Sequence, residues 1–404
     1  MVKSTILFVM LAILFLSFLP AAAPRTDPET GVIRMLHVGK AWLQPASPGP
    51  TFVRDPRISW MPVPAHAWSM GEEAKRNLRI YMPRSREELL AKYDVVVEDG
   101  MFATDMPGPF MKWLIEEMNR TGIGFLMADD SSSFATSGSH PSWYLTPIGE
   151  ILPVDDVMGI YGPREQFHCI PKIPNHPLTR DLPWEEVWIS SSNKPWMKAG
   201  AIKIAEMEPT VPANKNKPYM AYWMWGNGVS FAYVHKWHID EGTFYRWPYH
   251  EDVLAHLIYF TAQAPIADDV LLEHRLRGRF GEMHEQRLYL LSFIEFADKF
   301  GANLRQVELG LQEQADAQDR ARRSFIDTDM EATELALNEI SQKYDQLTEL
   351  AFTMWNRAVF WVFVSEWLAV AATSMIAGYV VWTLMVKRRL YREVRETRIK
   401  PLDR

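Results

Sequence analysis

The feature that most constrains this chain lies near its C-terminus, where Trp367 to Val386 form 20 residues without a charge, followed at once by Lys387, Arg388 and Arg389. At 1.5 Å of rise per residue, a helix of that length crosses the ~30 Å of hydrocarbon in a bilayer. The apolar character begins at Ala358 and is interrupted only by Glu366. Trp361, Trp367 and Trp382 fall near the two ends of the run, at the headgroup level that indole rings favour. Arg392, Arg395, Arg398 and Lys400 extend the basic cluster, and such a cluster beside a span marks its cytoplasmic side. A buried core helix is the competing explanation, and the lopsided flanking charge speaks against it.

The other end is consistent with this. Lys3, the apolar stretch Ile6 to Leu19 and the small residues Ala21, Ala22 and Ala23 have the composition of a secretory signal, with an uncleaved anchor as the alternative. Together the two ends predict a single-pass protein of the cell membrane. A signal at 1–23 precedes an exported portion, a span covers 358–386, and the tail 387–404 is cytoplasmic. The chain is 48% apolar and 23% charged, the balance of a globular protein. Its net charge is -7, and removing the tail's +5 and Lys3 leaves 24–386 at -13. That acidity argues against nucleic acid as a partner and leaves the membrane as the expected one. Cys169 is the one cysteine, so neither an intramolecular disulfide nor a Cys-based zinc site can form. No cofactor is expected.

Residues 24–266 alternate short β-branched runs with helical patterns, which predicts an α/β domain. Strands are expected at Val32 to Val38, Leu78 to Met82, Val95 to Val97 and Ile123 to Ala128. The proline-rich stretch from Gln44 to Pro64 reads as a surface loop. Ser85 with Glu88 three residues on forms a capping box that opens a helix. A second helix is expected over Gly108 to Asn119, and another over Glu251 to Ala262. Tyr219 to Trp225 and Val229 to Val234 read as a hairpin across Gly226-Asn227-Gly228. From 267 to 357 prolines vanish. Met330, Thr333, Leu337, Ile340, Tyr344, Leu347, Ala351, Met354 and Ala358 then follow a heptad seam that runs into the span. Phe293, Phe296, Phe300, Leu304, Val307 and Leu311 keep the same rhythm, which predicts a hairpin of two long helices. The alternative is that one seam serves as a homo-oligomer interface or docks the chain into a larger membrane complex.

YDVVVEDG, a helix, then GIGFLMADDSSSF, followed by NHPLTRDLPW and the hairpin PYMAYWMWGNGVSFAYV, resemble in their order the class I glutamine amidotransferase-like fold, in its exported and membrane-associated members. EWLAVAATSMIAGYVVWTLMVKRRLYREV is similar to the membrane end of archaeal proteins that carry such a domain. The resemblance implies a flavodoxin-like α/β domain ahead of the helical segment and the span. True amidotransferases of this fold place a cysteine on the sharp turn after the second of these strands. Here that turn reads Ala128-Asp129-Asp130-Ser131-Ser132, so the resemblance implies a domain without glutaminase activity.

Ligands of open α/β sheets bind at the carboxyl ends of strands. Asp129, Asp130, Ser131 and Ser132, with Glu98 and Asp99 on the neighbouring strand, are therefore the candidate cleft. Two acidic turns favour a cationic ligand or a metal ion over phosphate. Cys169 beside His168 and near His176 is a candidate thiol–imidazole pair, set against a plain buried cysteine with loop histidines. His235, His238 and His250, with His256, Asp240, Glu241, Glu251 and Asp252, have the density of a zinc or manganese site without its spacing. Asn119 opens a glycosylation sequon. The aromatic group Trp223, Trp225, Trp237, Tyr245, Trp247 and Tyr249 is set either to stack on sugars or to fill a core. The expected function is non-catalytic binding or scaffolding at the cell surface. The alternative is a surface hydrolase or amidase using a metal or a non-standard nucleophile.

Overall fold

The computed structural model describes residues 24–44, 47–66, 70–129, 133–134, 142–155, 165–191, 193–208, 215–237 and 243–396. The expected signal at 1–23 and the last residues of the basic tail lie outside them. Strands are β1 (Ile33–Gly39), β2 (Ile58–Pro64), β3 (Val95–Asp99), β4 (Gly124–Ala128), β5 (Val154–Asp155) and β6 (Glu165–Phe167), then β7 (Cys169–Pro171), β8 (Ile189–Ser191), β9 (Trp196–Met197), β10 (Ile202–Met207), β11 (Pro218–Trp225) and β12 (Gly228–Tyr233). Helices are α1 (Gly49–Arg54), α2 (Glu72–Tyr81), α3 (Arg86–Lys92), α4 (Gly108–Thr121), α5 (Ile148–Ile151), α6 (His250–Thr261), α7 (Val270–Asp298), α8 (Arg305–Ile326) and α9 (Met330–Glu396).

Eight strands form one sheet in the order β2-β1-β3-β4-β12-β11-β10-β7. The first five are mutually parallel, and the last three continue antiparallel. The chain is therefore of mixed α/β class with a mostly parallel sheet. Every residue of β3, β4 and β12 is buried, as expected of strands covered by helices on both faces. The hairpin forms as the glycines require. Gly226 sits at φ 60°, and Trp225 pairs with Gly228. Ser85 caps its helix, with Glu88 N donating to Ser85 Oγ at 3.1 Å, while the Glu88 carboxylate accepts Arg84 N, one residue before the cap, at 2.8 Å.

Two expectations for the α/β region fail. Leu78 to Met82 is not a strand, because the preceding residues place Ala74 and Leu78 one helical turn apart, both buried inside α2. The stretch from Gln44 to Pro64 is not simply a loop, because α1 and the edge strand β2 occupy most of it. Pro62 and Pro64 are tolerated there because an edge strand has one side free of ladder bonds.

The residues after Ala267 form three long helices, not a two-helix hairpin. The rhythm from Phe293 to Leu311 does not run through a single helix. It breaks at Gly301, which takes φ 74° while Ala302 N returns to Ala297 O at 3.3 Å, a glycine-terminated helix end. The chain divides into two compact units, residues up to Gly281 with Asp319–Leu337, and Glu282–Gln318 with Asn338 onward. In the first, Phe280 meets Phe325 at 5.3 Å. In the second, Gln318 Nε2 donates to the Tyr344 hydroxyl, Phe293 meets Phe352 at 4.8 Å, and Leu347 packs against Gly310. Leu337, Ile340, Tyr344, Leu347 and Ala351 of the seam are all buried within the chain. α9 continues for 67 residues without a break. It is long and apolar enough to cross a membrane, and none of its most apolar window is buried against the rest of the protein.

Candidate functional site

The parallel strands end in register. Gly39 pairs with Asp99, Asp99 with Ala128, and Ala128 with Tyr233, so the residues just beyond them share one rim. Gly39 is needed there, because at φ 118° an added Cβ would collide with the Asp99 carbonyl. That carbonyl instead accepts Lys40 N at 2.8 Å. Lys40 is thereby turned across the strand ends, where its ammonium reaches Asp129 Oδ1 at 2.6 Å with both side chains buried.

Asp129 has φ 102°, a conformation that L-residues other than glycine rarely adopt. Its N–H donates to the His235 carbonyl at 3.0 Å, which ties the turn to the end of β12. Glu98 lies beside this ion pair, fully buried. Its Oε1 accepts Met101 N at 2.7 Å. Burial pushes the Glu98 carboxyl well above the usual range. Hydrogen bonds from Met101 and Ser133 pull it back down, and the charges of Asp129 and Asp99 push it further up. The Ser133 hydroxyl also accepts Gly100 N at 3.3 Å. The crevice that the sequence presents as purely acidic therefore contains its own cation. An ion pair next to a carboxyl that favours its neutral form can orient a polar ligand and donate or accept a hydrogen bond.

Asp99 belongs to a second cluster, because successive strand residues face opposite sides of the sheet. Its Oδ2 lies 3.4 Å from His37 Nε2. Trp60 Nε1 donates to His37 Nδ1 at 3.1 Å, so the imidazole carries its hydrogen on Nε2, toward the carboxylate. Phe52, Trp60 and Trp237 enclose the ring at centroid distances of 5.8 to 6.2 Å.

Asp130, Ser131, Ser132 and His238, with Asp240 and Glu241, are outside the described residues. Cys169 is buried in β7 near the far edge of the sheet, and burial pushes its thiol well up. His168 turns its Nδ1 to the Val187 carbonyl at 3.0 Å and its ring onto Trp188. His176 Nδ1 accepts Leu178 N at 3.2 Å, and burial together with Arg180 lowers its pKa to about 4. His235 Nδ1 meets the Ser190 carbonyl at 2.9 Å, and His250 Nδ1 meets that of Trp247 at 2.9 Å. Among the described residues no three His, Cys, Asp or Glu side chains converge as metal ligands would. Asn119 is exposed but lies in the last helical turns of α4, not in a loop. Of the aromatic group, Trp237 and Trp247 are core residues, while Trp223 and Trp225 face each other at 5.8 Å on the hairpin.

A larger polar cluster centres on Arg277, a residue the sequence does not single out. Arg277 of α7 bonds Asp55 at 3.0 Å, Glu273 at 2.9 Å and also Asp252, all buried. His256 reaches Glu273 at 3.0 Å, and His274 reaches Asp252 at 2.6 Å. Tyr259 donates to Asp55 at 2.6 Å, with Arg57 over its ring at 4.1 Å. Asp252 and His256, expected as metal candidates, are thus engaged in fastening α7 to α6.

No protein-family model matches the chain, and no curated protein matches it. Among solved structures, Cytoplasmic Protein STM3548 from Salmonella typhimurium aligns at 17% identity over 57% of this chain and 99% of that one, with a TM-score of 0.44. Cytoplasmic Protein STM1381 from Salmonella typhimurium LT2 aligns at 14% identity over 56% and 98%, with a TM-score of 0.43. A beta-galactosidase from Bacillus circulans sp. alkalophilus aligns at 12% identity over 58% of this chain and 32% of that one, with a TM-score of 0.35. At these values the likeness assigns neither fold family nor activity.

Proposed function

We propose that this chain is a single-pass membrane protein whose α/β domain faces outward and binds a ligand or partner without catalysing acyl transfer. The observation that carries the reading is the turn after β4. The resemblance to amidotransferases implies a cysteine there, and this chain has Asp129, its carboxylate bonded to Lys40 at 2.6 Å. A carboxylate already held by an ammonium is a weak nucleophile, and the sequence of this turn offers no thiol to form an acyl intermediate. The order β2-β1-β3-β4-β12 of the parallel strands supports a flavodoxin-like, amidotransferase-like domain with its cleft at these strand ends. The exposed apolar part of α9 and the basic residues behind it support the anchor and its orientation.

The test is a gentle-detergent pull-down of the full-length protein from its native membrane, followed by mass spectrometry. A companion or small molecule retained by the wild type and lost in Asp129→Asn is the expected result. The left-handed backbone of Asp129 favours a second reading, a surface hydrolase with an unusual nucleophile, since strained turns gather at active sites. Hydrolysis of an amide or ester panel by the full-length protein, abolished by Asp129→Asn, would replace the first reading with the second.

A further inference from the structure

Within the second compact unit, the turn between α7 and α8 and the stretch of α9 from Met354 to Trp361 enclose a cavity of about 520 Å³. Its polar lining is Asn303, Arg305, Gln306 and Arg357, and no Asp or Glu contributes to it. This is unusual in a chain whose residues 24–386 carry a net -13. Neither Arg305 nor Arg357 makes an ion pair with a described residue. Arg305 is also the first residue of α8, so the positive end of that helix adds to the two guanidinium charges.

Three features place this cavity beside lipid. Arg357 immediately precedes the apolar stretch that begins at Ala358. Trp361, part of the lining, is 59% exposed, as an indole at the headgroup level would be. Phe296, in the last turn of α7, and Phe300, in the turn that follows it, leave 47% and 41% of their surfaces uncovered. Paired guanidiniums bind phosphate oxygens through charge-assisted, often bidentate bonds. The adjoining Met354, Ala358 and Trp361 give an apolar path for an acyl chain.

We propose that Arg305 and Arg357 hold the phosphate of an anionic phospholipid of the outer leaflet, against the base of the helical segment. This rests on the membrane reading given above. It predicts a lipid site on the opposite side of the bilayer from the basic tail, and the tail attracts anionic headgroups independently.

The test uses the full-length protein in detergent, titrated with phosphatidylglycerol, phosphatidylcholine or inorganic phosphate and observed by native mass spectrometry. A Lys387→Gln/Arg388→Gln/Arg389→Gln variant serves as background, so that the tail does not contribute. Phosphatidylglycerol should bind this background about tenfold more tightly than phosphatidylcholine. Arg305→Gln/Arg357→Gln should abolish the preference, while Arg357→Lys should retain part of it. Equal binding of the two lipids, or a preference that survives the double variant, overturns the proposal. Phosphate binding that depends on both arginines without any lipid preference also overturns it, in favour of a free-anion site. Unchanged circular dichroism of the double variant confirms that it is folded. Release of the full-length protein by alkaline carbonate would fail the membrane reading instead, whatever the lipid titration returns.

Discussion

Replacing Lys40 with Met would leave the Asp129 carboxylate buried opposite an apolar chain, where an ammonium now stands at 2.6 Å. Breaking one half of a buried pair costs about 3–5 kcal/mol, whereas replacing both halves with apolar isosteres costs far less. Lys40→Met should therefore destabilise strongly in denaturant titrations, and Lys40→Met/Asp129→Asn, which removes the stranded charge with a residue that tolerates the positive φ of 102°, should recover part of the loss. Glu98 gives a pH signature. Its folded-state pKa is raised by burial, so the native state binds its proton more tightly than the unfolded chain does. Stability then falls as the pH rises above 4.5, the ordinary glutamate value. Glu98→Gln should flatten that decline, raising stability at pH 7 and changing little below pH 4 or so. The mutant and wild-type curves of unfolding free energy against pH check this directly. Only the acidic half of the rim was legible in the sequence. Asp99 and Asp129 end recognisable strands, but Lys40 and His37 reach them from a strand 60 to 90 residues earlier, and no local pattern encodes that pairing.

Among the elements, the ionic cluster around Arg277 fastens α7 to α6 and to the loop before β2. Arg277→Met would strand the buried carboxylates of Asp55, Asp252 and Glu273 and should cost about 3–5 kcal/mol, read as a lowered thermal midpoint. For Glu273 burial pushes the carboxyl up, but His256, Arg277 and Arg57 outweigh burial and hold it at about 2. A depressed carboxyl contributes stability above its unfolded value that is lost as the pH falls through its folded one. The window here runs from 4.5 down to about 2. In hydrogen exchange, protection of α6 and the first turns of α7 should fall across that window, and Glu273→Gln should remove the dependence. Elements whose signal is local were legible: the capped helix after Ser85, the Gly-Asn turn, and the buried valines of β3. Leu78 to Met82, all but the last in α2, read as a strand because Leu78, Ile80, Tyr81 and Met82 are apolar or aromatic, while the helical repeat that overrides them begins at Ala74. β2 was hidden by its prolines, whose tolerance depends on its being an edge strand, and that is known only once its neighbours are placed. The heptad seam was legible as buried surface, but its coverage by two helices, not one, depends on the stop at Gly301.

At the scale of the whole chain, the apolar stretch of α9 that no other element covers has one ready consequence. An exposed apolar surface of that length is unstable in water, so the protein should stay in membranes through an alkaline carbonate wash, and a chain truncated after Arg357 should not. Immunoblots of the two fractions check it, and release of the full-length chain would count against the anchor. The single thiol offers another handle. Cys169 is 2% exposed, and burial disfavours its thiolate, so a thiol reagent can modify the folded chain only when the sheet edge at β7 opens. With one thiol per molecule there is one site and one rate. The protein thus carries its own clock for the opening of that edge, readable without any engineered label, and its pace under increasing denaturant would report whether the edge frays alone or opens only with the whole sheet.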